Sequence, residues 1–218
     1  MNRPRRILAA AATLVLAAAS TAAAHPHVFV DGALKLNLDS AGRLASATNI
    51  WTFDAPFSAF ATQGLDTNRD GKLSGEELAP LAQTNMDALS YYHFFTYVSA
   101  AETQSEFGAP EDYFLTMAKK RLTLHFTLPL KKPIGLDNSV NVEVFDPEYF
   151  VAFSFTGKAT APVKIGDSKC EVHYQPPKEL DAAIMAKLAA VPMEQHDLPP
   201  ALKDAAAGLA HLFAVTCP

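Results

Sequence analysis

Residues 121–128, Arg121-Leu122-Thr123-Leu124-His125-Phe126-Thr127-Leu128, decide how the rest of the chain is read. Leu122, Leu124, Phe126 and Leu128 alternate with Thr123, His125 and Thr127. A period of two puts every apolar side chain on one face, so the stretch predicts a strand buried on one side. The same short-strand pattern recurs at residues 28–38, 43–53, 113–117, 140–145, 149–155, 163–165 and 170–174. Asp39-Ser40-Ala41-Gly42 turns the first two into a hairpin, and Asp146-Pro147-Glu148 reads as a tight turn between two others. Closely spaced short strands predict an antiparallel sandwich or barrel. There is no regular strand–helix alternation and no glycine-rich phosphate loop, which argues against a nucleotide-binding fold. The expected class is α+β: an antiparallel β-sandwich-like sheet, an inserted helix–loop–helix over 55–98, and C-terminal helices over 178–215.

The insertion carries the most specific motif. Residues 66–78 read DTNRDGKLSGEEL and match the calcium-loop pattern D-x-[DN]-x-[DN]-G-x5-E at every specified position. Asp66, Asn68 and Asp70 supply side-chain oxygens, Lys72 its carbonyl, Ser74 a direct or water-mediated contact, and Glu77 the bidentate carboxylate that closes the shell. Gly71 falls where the loop must turn sharply. Asp54 is placed to cap a short preceding helix over 56–64. Leu78, Leu81, Met86, Leu89, Tyr92 and Phe95 form an apolar stripe along a following helix expected over 74–98. With Arg69 and Lys72 inside the loop and no second loop to pair with, the expectation is a structural Ca2+ of modest affinity, ~0.1–1 mM.

Residues 1–24 read as a secretory signal: Arg3, Arg5 and Arg6, an apolar run over 7–19, and the small residues Ala22-Ala23-Ala24. Its removal leaves roughly 190 residues, enough for one domain over 25–218 with a substantial core. It also takes the formal net charge from −5 to −8. An acidic surface argues against nucleic acid and anionic lipid as partners. No later run is long and apolar enough to span a bilayer. The expected location is therefore periplasmic. There Cys170 and Cys217 are expected to form a disulfide, which the chain-entropy model values at roughly 4 kcal/mol.

Cleavage after Ala24 makes His25 the first residue, so its amine and imidazole chelate one ion together. His27 lies two residues on, on the same side of an extended chain. An amine and two imidazoles suit Ni2+, Co2+, Zn2+ or Cu2+. The square-planar amino-terminal mode with histidine third is blocked, because Pro26 has no amide hydrogen. His125 and His173, on the polar sides of predicted strands, are candidates to complete the shell, and His93 lies in the aromatic run 91–95. No G-x-S-x-G or H-E-x-x-H motif is present, and no catalytic residue is assigned.

Ala24-His25-Pro26-His27-Val28-Phe29-Val30-Asp31 resembles the A-H-P-H-V-W-V-D opening of a bacterial periplasmic family, domain of unknown function 1007. So do Trp51-Thr52-Phe53-Asp54, the calcium-like loop, residues 122–126 and Asp146-Pro147-Glu148-Tyr149-Phe150. Phe29 stands where tryptophan is frequent. The resemblance implies the periplasmic component of an ABC-type transport system for nickel, cobalt or zinc, with an inner-membrane metal transporter as partner. The expected function is thus a non-enzymatic metal-binding accessory protein braced by calcium. The alternatives are a calcium-stabilised interaction module without a transition-metal role, and a copper enzyme built on a histidine brace with His125 or His93 as third nitrogen.

Overall fold

The computed structural model describes residues 26–101, 103–137, 139–155, 163–165, 169–192, 195 and 197–217. The expected signal peptide and His25 lie outside the described residues. Among the described residues the first sheet has six strands. Strands β1 (Val28–Leu38) and β2 (Leu44–Phe53) form the expected antiparallel hairpin. Asp39 tightens its turn: Oδ1 accepts from the Ala41 and Arg43 amides, and Oδ2 meets the Arg43 guanidinium.

Helices α1 (Ala55–Ala61) and α2 (Gly75–Ser90) follow, then β3 (Thr96–Ala100) and β4 (Thr103–Gln104). Strands β5 (Glu111–Ala118) and β6 (Arg121–Ile134) come next, then β7 (Val140–Val144), β8 (Val151–Ser154) and β9 (Val163–Ile165). The chain continues through β10 (Glu171–Gln175), α3 (Ala182–Ala189), α4 (Pro200–Ala207) and β11 (His211–Thr216). The first sheet runs β5-β6-β2-β1-β8, with β9 also on β1; the second runs β10-β11-β7-β3-β4.

The alternation in β6 does what its sequence demands. Leu122, Leu124, Phe126 and Leu128 are buried, while Thr123 and Thr127 meet Thr52 and Thr48 of β2 at 2.9 Å each on the other face. One core joins Val30, Leu36, Trp51 and Phe126 of the first sheet to Val98, Val142, Phe213 and Val215 of the second, in a sandwich-like arrangement. Gly32 sits opposite Trp51 because nothing larger fits: a Cβ there would lie 2.7 Å from the Phe155 ring. A smaller cluster of Leu188, Val191, Leu198, Leu202 and Ala206 lies under α3 and α4. Cys170 and Cys217 are joined by a disulfide beside the β10–β11 pair, which fits an oxidising, extracytoplasmic compartment.

Three expectations need correction. The helix expected over 74–98 stops at Ser90, and residues 96–100 form β3 beside β7. Between them His93, Phe94 and Phe95 hold φ values of 51°, 53° and 47°, a left-handed turn that no right-handed helix can contain. The C-terminal helices expected over 178–215 are shorter, and residues 211–216 are instead a strand between β10 and β7. Gly208 caps α4, and His211, Phe213 and Val215 then alternate into the core. The expected tight turn at Asp146 is present, and it passes the chain from β7 in the second sheet to β8 in the first. Finally, the first sheet is not wholly antiparallel, since β8 and β9 run parallel to β1.

Asn49 is fully buried on the core face of β2, with neither amide atom hydrogen-bonded among the described residues. A buried amide left unpaired costs about 1–3 kcal/mol. Replacement by leucine, close in volume, is expected to raise unfolding free energy by about 1 kcal/mol in urea titrations. A loss of stability would mean that the amide is satisfied by ordered water.

Candidate functional site

The loop between α1 and α2 is tightly self-bonded. Asp54 caps α1, its Oδ1 accepting from the Phe57 amide while Oδ2 accepts from the Phe29 amide of β1, both at 2.8 Å. Ser58, buried in α1, accepts from the Leu122 amide at 2.9 Å and so fixes α1 to the start of β6. Within the loop, Asp66 accepts from the amides of Asp70 (3.1 Å) and Gly71 (3.0 Å), and Asp70 from that of Lys72 (2.8 Å). Arg69 and Gly71 take left-handed φ values of 61° and 78° to make these turns.

Glu77 clasps the two ends. Oε1 accepts from the Thr67 amide and hydroxyl, and Oε2 from those of Ser74. Ser74 and Glu77 thereby form a capping box at the start of α2. The Ser74 amide and hydroxyl, then the Thr67 amide, hold the Glu77 carboxyl down to about 2. The three loop carboxylates are thus spent mainly on backbone amides. Among the described residues, no group of three or more His, Cys, Asp or Glu side chains stands close enough to hold a metal ion.

The sequence-predicted histidines are dispersed. His125 lies on the outer face of β6, its ring stacked 4.5 Å from that of Phe114, and burial lowers its pKa. His173 is exposed on β10, 3.7 Å from Glu171. Among the described residues neither joins His27 in a group of three or more donors. His211, which the helical reading obscured, is buried. Its Nε2 donates to the Phe153 carbonyl at 2.9 Å, and its Nδ1 accepts from the Tyr174 hydroxyl at 2.8 Å. That assignment needs a neutral ring, in keeping with the lowering of its pKa by burial.

What the fold does bring together is the His27 lead-in and the Asp146 turn, some 120 positions apart in the chain. The amides of His27 and Val28 both donate to the Phe150 carbonyl, at 2.9 and 3.2 Å, and the His27 and Phe150 rings lie 4.8 Å apart. Asp146 is 4% exposed; its two oxygens accept from the Glu148 and Val151 amides at 2.8 and 2.9 Å. Asp146, Glu148 and Phe150 line a cavity of about 190 Å³ with Tyr92 and Phe95. Burial, then the charges of Glu148 and Asp146, raise the Tyr92 pKa. Burial and then Asp146 and Glu143 push Tyr97 up to about 12. The sequence reading missed Tyr92 and Phe95 as cavity residues because it assigned both to the apolar stripe of a helix.

Residues 10–217 match the family described as "Protein of unknown function (DUF1007)". The chain belongs to this family. Within the matched span Asp31 pairs with Arg121 at 2.8 Å, Trp51 fills the core, Asp54 caps α1 and Asp146 makes the crossing turn. The chain is also similar to an uncharacterised 15.5 kDa protein in the trpE 3′ region of Spirochaeta aurantia, 26% identical over 102 residues, covering 47% of this chain and 73% of that protein. Neither description names an activity for the DUF1007 fold. Among the described residues no helix is long and apolar enough to cross a membrane.

The lowered pKa of Glu77 means that its contribution is fully present above pH 4.5 and is lost as pH falls from 4.5 toward about 2. In urea titrations across that window, the stability difference between the protein and its Glu77→Gln variant is expected to shrink with falling pH. A constant difference would show that the clasp does not form.

Proposed function

We propose that this is an extracytoplasmic metal-handling accessory domain of a transition-metal transport system, with its amino-terminal histidines as the ion-holding group and the Asp66–Glu77 loop as a calcium brace. The observation that supports it is the seating of His27. Two backbone hydrogen bonds to Phe150 and a ring contact fix the residue at one end of the sandwich. Once His25 carries a free amine, the chain's first residues offer an amine and two imidazoles without help from His125 or His173. A bound ion then needs ligands from the chain's first residues, and from solvent or a partner, which suits holding and passing on more than permanent storage. The donor types are right for Ni2+, Co2+, Zn2+ or Cu2+.

For the brace, the loop offers oxygens of the kinds Ca2+ takes, and its left-handed Arg69 and Gly71 give the bends such a loop needs. Binding requires Glu77 to exchange some of its amide and hydroxyl partners for the ion, which fits weak affinity. The dispersal of the histidines favours a second reading, in which the domain is a calcium-stabilised interaction module with no transition-metal role.

Two measurements separate these readings. Calorimetric titration of correctly processed protein with Ni2+, Co2+, Zn2+ and Cu2+ is expected to show one site. His25→Ala, His27→Ala or one extra residue before His25 should abolish it; unchanged binding in all three would remove the histidine proposal. Calcium at ten times its Kd should stabilise the fold by about 1.4 kcal/mol, raising the melting temperature by roughly 3–6 °C. Asp70→Asn should remove that rise while leaving calcium-free melting close to unchanged. No shift at 10 mM Ca2+ would remove the brace.

A further inference from the structure

No described helix packs over the outer face of the first sheet; α2 lies on the core side of β5, where the Tyr113 hydroxyl donates to Gln83 at 2.6 Å. Across β5, β6, β2 and β1 the ladders align Phe114, His125, Ile50 and Ala33 in one outward row. They align Glu111, Thr127, Thr48 and Lys35 in the next. We propose that this face is a homodimer interface, in which two copies pack sheet against sheet about a two-fold axis running along the strands, midway between β6 and β2.

The register fixes which residues such an axis brings together. It exchanges β5 with β1 and β6 with β2 while keeping every row in place, so each contact is made twice. Glu111 of one copy meets Lys35 of the other. Both are exposed, and among the described residues neither has an ion pair within its own chain. Phe114, 49% exposed, meets Ala33, and His125, stacked on Phe114, meets Ile50. Two rows further on, Phe29 lies opposite Asp54 and Ala118 opposite Arg121. There Phe29, 54% exposed, meets the exposed Ala118. Both exposed rings of this face are thus set against alanines, large against small, as interdigitating sheets require.

The rest of the face loses little when water is removed. Thr48 bonds Thr127 and Thr52 bonds Thr123, at 2.9 Å each, so these hydroxyls already have protein partners. Four strands about 4.8 Å apart and roughly nine residues long outline ~600 Å² in plan. Accessible surface exceeds plan area, which brings the face close to the ~800 Å² that each partner buries in a standard interface. Sheets packed face to face cross at about 30°, an offset that the long side chains of Glu111 and Lys35 span at the rim. Because the axis runs along the strands, both copies of β1 begin at the same end of the dimer, and the two His27 residues share that end.

The test is sedimentation equilibrium of the full processed protein with chelator present, so that association is read apart from the transition-metal proposal. A reversible dimer with a dissociation constant on the order of micromolar is expected. Phe114→Arg should raise that constant at least about tenfold. Glu111→Lys or Lys35→Glu alone should each raise it severalfold, because like charges then face each other at both rims. The double variant, Glu111→Lys with Lys35→Glu, exchanges the charges and should restore the original constant. That rescue is a readout which loss of folding in a single variant cannot imitate. A monomer at about 0.1 mM overturns the proposal and leaves the face to a different protein. An unchanged constant in Phe114→Arg, or a double variant no tighter than the single ones, overturns it as well.

Discussion

The indole of Trp51 is the point on which the two sheets converge. Its ring lies 4.8 Å from Phe126 of β6, 5.0 Å from Phe153 of β8 and 6.2 Å from Phe95 of the left-handed turn. A fully buried tryptophan removes ~150–250 Å² from water, worth about 5 kcal/mol of transfer free energy. That one side chain touches a neighbouring strand, a parallel strand and the lead-in to the second sheet. Gly32 opposite it, with Phe155 packed into the space a side chain would take, extends the same constraint to the edge of β1. The positions of α1, the crossing turn and the cavity follow from this centre, because each is tied to a strand that flanks it.

The parts of the fold that were legible in the sequence are those set by local pattern. Strict alternation in β6 identified its buried face residue by residue, the Asp54 cap announced where α1 begins, and Ser74 marked the start of α2. The misread parts are those where local signals point one way and pairing another. Tyr92 and Phe95 continue the apolar spacing of α2, so a period-based reading runs through Ser90 without pause. What ends the helix is the affinity of Thr96–Ala100 for an edge of β7 in the second sheet, which no short window contains. Likewise Leu209, Leu212 and Phe213 satisfy a helical spacing, but His211–Thr216 finds partners on both sides and becomes a strand.

The same distinction governs the functional residues. The loop motif is contiguous, so its participants were all named from sequence, and the structure adds that its carboxylates are occupied by backbone amides. The histidines were grouped by type, and the fold separates them onto an outer sheet face, a sheet edge and the start of β1. The cavity at the crossing turn had no sequence signature, because its aromatic walls come from two turns about fifty residues apart that meet only through tertiary packing. Its acidic members were visible as a turn, and their role as turn-formers is real: Asp146 satisfies two amides while also facing the cavity.

The place of β11 has a consequence for how such a protein is made. It follows every other described element in the chain, yet it lies inside the second sheet with β10 on one side and β7 on the other. Until it arrives, β7 has an open edge and Val142 and Val140 lack Phe213 and Val215 beside them in the sheet. The second sheet therefore stays incomplete until this late segment is available to pair. Closure of the sandwich and formation of the Cys170–Cys217 bond are then coupled events, with the cross-link recording that β11 has docked in register.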